Sequence, residues 1–318
     1  MLSRTADHLY WMSRYTERAE NTARMLDVNY QMSLLPQSEE ATEQAWRAML
    51  KISELNTQFS AQHTELLPVT VIAFMVSDMD NLSSIMRCLQ AARENARAVR
   101  GSITTELWET INTTWLEAQR MIRDGTLSRA PAEFFEWVKF RSHLTRGVNN
   151  GTMMRGEVYD FIQLGTFLER ADNTARLLDV KFLAAAEYRN ENLNPVDDFY
   201  YWTAILRSVS AFENYRKVYR DVITPERIAQ LLILNPNMPR SLSACVQEVC
   251  DTLARIRNSQ SGGTQIAALA MLAELQDATI EEILKQGLHL YLTEFLDKIN
   301  RIGGGISQDF LVPLTEAD

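Results

Sequence analysis

Five polar side chains occur twice at one spacing. Glu17, Arg18, Asn21, Arg24 and Asp27 lie in ERAENTARMLDV, and Glu169, Arg170, Asn173, Arg176 and Asp179 lie in ERADNTARLLDV, 152 residues later. Ten of the twelve positions are identical, and Glu20/Asp172 and Met25/Leu177 are conservative changes. Glutamate among arginines and asparagine supports three readings. One is a solvated helix face with Glu20–Arg24 and Asp172–Arg176 as i,i+4 pairs of about 0.3–0.5 kcal/mol each. That accounts for two residues of the motif and leaves the identity of the others unexplained. The second is structural: the copies meet, each Glu pairs with an Arg of the other, and a buried network fixes their register at a cost in desolvation. The third is a site. Here Arg18, Asn21, Arg24, Arg170, Asn173 and Arg176 hold an anion, and Glu17 or Glu169 is the candidate catalytic acid or base.

A second cluster runs Arg141, Arg146-Gly147, Asn150-Gly151-Thr152 and Arg155-Gly156-Glu157. Arg146, Thr152 and Arg155 around a helix start are candidates to hold a phosphate or carboxylate on free backbone N–H groups. The bland alternative is a capped helix-to-helix connection, and the spacing matches neither a P-loop nor GxGxxG. Asn95 and Asn214 sit in two further Glu-Asn-x-Arg stretches that read as polar helix faces.

These residues need helices to position them. At 100° per residue, Glu17, Glu20, Asn21, Arg24 and Asp27 share one arc, while Tyr15, Ala19, Thr22, Ala23 and Leu26 take the other. The 318 residues are 46% hydrophobic with only 12 Gly and 8 Pro, a composition that predicts an all-α protein. The repetition extends further. Trp46-x-Ala48-x-Leu50 returns as Trp202-x-Ala204-x-Leu206, and Ser84-Ile85-x-x-Cys88 as Ser241-Leu242-x-x-Cys245. We therefore expect a multi-helix bundle of two tandem homologous halves, 1–150 and 151–318, either as two domains or as one fused body. Helices are expected near 3–34, 39–60, 81–100, 103–123 and 131–146, with Gly147–Gly151 as a loop and Thr152 as the next cap. In the second half, Asn194-Pro195 opens a helix through Trp202 to Tyr219, Thr224-Pro225 starts another, and Ser241 caps a third. Gly262-Gly263 and Gly303–Gly305 read as linkers.

A net charge of −9 argues against a nucleic-acid binder. Cys88, Cys245 and Cys250 lack CxxC spacing and fit buried thiols in a reducing cytoplasm. No signal-peptide pattern opens the chain, and the apolar run from Leu66 to Val76 is too short to span a bilayer, so no membrane role is expected. His8, His63, His143 and His289 are scattered without HExxH or ExxH partners, so neither a metal nor a cofactor is expected. No Ser or Cys stands in a nucleophile motif.

The two Glu-Arg motifs, with CLQAARENARAVRG, FRSHLTRGVNNGTMMRGE, LRSVSAFENYRKVY and LNPNMPRS, make the chain resemble the bacterial alpha-E domain family along essentially its whole length. The resemblance implies a helical fold and places the family signature at Glu17-Arg18 and Glu169-Arg170. It also implies a setting: such proteins accompany a circularly permuted ATP-grasp ligase-like protein, with transglutaminase-like peptidases among other neighbours, in a peptide-synthesis or peptide-tagging system. The leading expectation is an accessory partner of such a peptide or amide ligase that binds an anionic or peptide ligand. The alternatives are an amide- or ester-cleaving enzyme with Glu17 or Glu169 as acid/base, and a purely structural scaffold.

Overall fold

Two long helices, each carrying one copy of the repeat, form the centre of the molecule. The computed structural model describes residues 1–36, 38–188 and 195–311, and among these every regular element is helical. The first stretch gives α1 (Ser3–Ser33), α2 (Glu39–Ile52), α3 (Asn56–Gln62), α4 (Pro68–Val76), α5 (Ile85–Ala98), α6 (Thr105–Arg123), the single turn α7 (Thr126–Arg129) and α8 (Pro131–Thr152). The second gives α9 (Glu157–Tyr188), α10 (Pro195–Ser208), α11 (Phe212–Tyr219), α12 (Pro225–Ile233), α13 (Leu242–Arg255), α14 (Gly262–Asp277), α15 (Ile280–Gln286) and α16 (Leu288–Phe310).

Local chemistry sets many of the helix starts. Ser38, Ser84, Thr104, Thr224, Ser241 and Thr279 each accept a backbone N–H in the first turn of α2, α5, α6, α12, α13 and α15. Pro68, Pro131 and Pro225 open α4, α8 and α12, where a missing N–H costs nothing.

Helices α1 and α9, roughly 45 Å long at 1.5 Å per residue, pack against each other. Helices α5 and α8 flank α1, and α13 and α16 flank α9 in the same way; α6 spans α5 and α8 as α14 spans α13 and α16. The smaller helices cross over, so that α2 leans on α9 and α10 leans on α1. Trp46 and Trp202 are sealed at equivalent places in this core. Helix α1 thus has neighbours on every side, and its polar arc is as buried as its apolar one. The central pair come close together at Gly165 of α9. A Cβ there would lie 2.2 Å from Ser13 Oγ and 2.3 Å from the Tyr10 carbonyl oxygen. Ser13 is the register equivalent of Gly165, one turn before each Glu-Arg pair.

Several boundaries differ from those the sequence suggests. The stretch 39–60 is two helices, broken where Glu54 takes a left-handed conformation (φ 56°), and the stretch from Pro195 to Tyr219 breaks likewise at Ser210 (φ 54°). Asn194 lies outside the described residues. Residues Gly147–Gly151 are helical: α8 continues through them to Thr152, which is its last residue and not the cap of α9. Gly262 and Gly263 open α14, and Gly303–Gly305 lie inside α16. Two of the three let α16 pack closely, since a Cβ on Gly305 would lie 2.3 Å from Thr264 Oγ1 and one on Gly303 3.3 Å from Leu168 Cδ2. The apolar run near residue 70 is helix α4. The expected division at 150/151 falls within the last turn of α8.

Candidate functional site

The repeated glutamates face each other's helices. Arg170 donates from Nε to Glu17 Oε1 (2.9 Å) and from Nη2 to Glu17 Oε2 (3.1 Å). Arg18 grips Glu169 in the same side-on manner, Nε to Oε1 at 2.5 Å and Nη2 to Oε2 at 3.0 Å. Each copy thus supplies the carboxylate for the other's guanidinium, in the bidentate geometry that only arginine offers. Glu17 and Glu169 are 1% and 4% exposed, so these pairs form the interior of the α1–α9 contact.

Around this reciprocal core the two sides differ. On the Glu169 side, Arg14 adds Nε to Oε2 at 2.7 Å and also reaches Tyr10 Oη at 3.2 Å. On the Glu17 side the register equivalent of Arg14 is Thr166, and the extra cations come from elsewhere. Arg240, in the turn before α13, donates to Glu17 Oε1 (2.9 Å), Asn21 Oδ1 (2.8 Å) and Glu20 Oε1 (2.7 Å). Arg146 of α8 reaches Glu17 Oε2 at 3.1 Å and pairs with Glu20 Oε2, which also accepts Ser142 Oγ–H at 2.6 Å. Arg24 completes the cluster with two bonds to Glu20 Oε1, 2.9 and 2.7 Å. In the second copy, Arg176 pairs with Asp172 (2.8 Å) and with Glu54.

The electrostatics follow from burial opposed by charge. Burial pushes all three glutamates up, and the guanidiniums overcome it. Arg170 and Arg240 hold Glu17 below the usual carboxylate range, and Arg240 and Arg146 hold Glu20 well below it. Arg14 and Arg18 bring Glu169 down to about 2. Arg240 is itself lowered, chiefly by burial, with Arg170 and Arg24 adding to it against the pull of Glu17 and Glu20. Two carboxylates at bonding distance keep it a cation. The buried thiols of Cys88 and Cys245 are pushed up to about 12 by burial. Each lies 3.8 Å from a carbonyl, that of Leu82 or Pro239, at equivalent places.

A carboxylate in this state is a poor general acid, because it holds no proton near neutrality. It is also a poor base, because its lone pairs are already taken. The arrangement is suited to fastening two helices. Of the other residues singled out, Asn21 joins the network, whereas Asn173 is half-buried on the second copy's flank. The arginines of the second cluster diverge. Arg141 turns to Thr114 Oγ1 (2.8 Å), Arg146 enters the network, and exposed Arg155 lies 3.9 Å over the Tyr159 ring. Thr152 Oγ1 faces Thr104 Oγ1 at 2.8 Å. With Gly147–Gly151 helical, their backbone offers no loop of free N–H groups. Asn95 bonds His8 (2.8 Å) and Asn214 contacts Met238 Sδ (3.6 Å), so neither reaches the network. Among the described residues no His, Cys, Asp and Glu side chains are grouped to hold a metal ion.

A family model described as a predicted alpha-helical domain with a conserved ER motif matches residues 1–311. The chain belongs to the Alpha-E family. No curated protein and no solved structure matches it. In this Alpha-E chain the ER dipeptides are Glu17-Arg18 and Glu169-Arg170, the four residues that exchange bidentate bonds. Arg14, Ser142, His143 and Arg240 have no counterpart in the repeat, so repetition could not reveal them. Arg240 aligns with Ser83, and the turn around it reads only as Pro-rich.

Proposed function

We propose that this chain is a non-catalytic helical partner of a circularly permuted ATP-grasp ligase-like protein, within a cytoplasmic peptide or amide ligase system. The observation that carries the reading is the full commitment of the ER carboxylates: Glu17, Glu20 and Glu169 are all spent on arginines inside the molecule. A motif used this way holds a shape, and a protein whose signature holds a shape acts through what that shape contacts. The two halves read as tandem copies fused through the ER contact, with a transglutaminase-like peptidase as a further partner. No described helix is long and apolar enough to cross a membrane. The enzyme alternative is less well supported, since it needs a proton or a free lone pair on Glu17 or Glu169.

Co-expression of the tagged full chain with a ligase of this class tests the proposal. We expect the two to elute together in fixed ratio and the isolated chain to turn over no amide or ester. A ligase that elutes alone sinks the partnership. Turnover by the isolated chain, lost in a folded Glu169→Gln variant, would replace it with the enzyme reading.

A further inference from the structure

Four guanidiniums, from Arg24, Arg146, Arg170 and Arg240, surround the two carboxylates of Glu17 and Glu20. Two positive charges are left over, and surplus charge removed from water is costly. The surplus comes nearest the surface at Arg146. Arg170 and Arg240 are buried, but the Arg146 side chain is 27% exposed and His143 beside it is exposed. Arg24 Nη2 points at His143 Nε2 from 3.0 Å, and Arg146 Nη2 points at His143 Nδ1 from 2.8 Å. A neutral imidazole has one ring nitrogen that accepts and one that donates. At least one of these contacts therefore sets N–H against N–H, and protonating the ring would make both do so. In the imidazolium form three donor groups face one another with no acceptor among them, and in the neutral form one of the two guanidiniums still lacks one. Asn21 Nδ2, buried in the same network, is a further donor without a partner. The second copy lacks this conflict, because its Arg176 meets the carboxylate of Glu54 where Arg24 meets an imidazole.

We propose that Arg24, His143 and Arg146 form a binding site for a small oxyanion, a carboxylate or phosphate group. The anion accepts from both Nη2 groups and from the imidazolium form of His143. Only the two contacts to the imidazole are exchanged, and no ion pair is lost: Glu20 keeps its bonds to Arg24, and Arg146 keeps Nη1 on Glu17 and Glu20. Because the bound anion favours protonated His143, binding strengthens as pH falls through the His143 pKa. That pKa lies below the ordinary histidine value because of burial first, with Arg146, Arg24 and Arg240 opposing the pull of Glu20. The charged groups facing His143 are thus Glu20 and Arg24 from α1, Arg146 from its own helix, and Arg240 from the turn before α13. The site stands whether or not the chain serves a ligase.

The test is NMR of the His143 ring in the full-length protein, assigned with His143→Gln and titrated with potassium phosphate or potassium acetate. Potassium chloride at equal ionic strength is the control. We expect saturable shifts and a His143 pKa raised by about one unit. Arg24→Gln should weaken binding about tenfold, the loss of one charge-assisted bond, with unchanged helical circular dichroism. Saturation by both anions supports a general oxyanion site, by phosphate alone a phosphoryl ligand, and by acetate alone a chain terminus or acidic side chain. If chloride does as well, or the His143 signals never saturate, the proposal is overturned. That readout comes from the unmodified protein and does not depend on the variant folding.

Discussion

Glu169 isolates what one charge does in this interior. Its carboxylate is 4% exposed and held by Arg14 and Arg18, which takes its pKa from 4.5 to about 2. A folded-state value below the unfolded one contributes stability that is fully present above pH 4.5 and is lost as pH falls through 2. Glutamine has no charge to lose and leaves two guanidiniums facing a neutral amide. We expect Glu169→Gln to cost roughly 3–5 kcal/mol near neutral pH, as for breaking any buried pair from one side. Its deficit relative to the unmodified protein should then shrink as the pH is lowered from 4.5 toward 2. Urea unfolding of both proteins across that range is the measurement. A variant as stable as the parent at pH 7 would mean that the ER pairs do not fasten the helices.

At the scale of elements, the close contact of α1 with α9 rests on a missing side chain. Gly165 faces Ser13 Oγ and the Tyr10 carbonyl, and backbone cannot retreat as a flexible side chain can. Gly304, the middle residue of α16's glycine run, has open space around it. The same change should therefore have opposite signs. Gly165→Ala should destabilise by about 1–3 kcal/mol through overpacking, and Gly304→Ala should stabilise by about 0.5–1 kcal/mol through helix propensity. Thermal melts of the two variants decide it, and equal effects would refute the close-contact argument. These glycines also mark how far the sequence could be read. The all-helical class and the caps at Thr224 and Ser241 follow from composition and local chemistry, while repetition offered the pairing of each Glu with an Arg of the other copy as one of three readings. A Gly-rich segment has the same composition whether it is a linker or a helix pressed against a neighbour, so Gly147–Gly151 and Gly303–Gly305 were not separable from loops. Arg240 was hidden for a related reason, since its partners are 219 to 223 residues away and it has no twin.

For the molecule as a whole, the crossing of α2 onto α9 and α10 onto α1 interlocks what the repeat presents as two units. Neither half keeps its core if the other leaves. We expect calorimetry of the full chain to show one cooperative transition, and two resolved transitions would restore two separate domains. The same contact places a demand on biosynthesis. Arg170 lies 153 residues beyond Glu17, and Arg240 lies 223 beyond it. When α1 leaves the ribosome, neither partner has been translated, so its acidic side chains must stay in water while half the chain is still being made. Pairings this distant in sequence carry a high loop-closure cost before they return any contact energy, which slows folding. The helix at the centre of the finished protein is made well before its partners and is among the last to be buried.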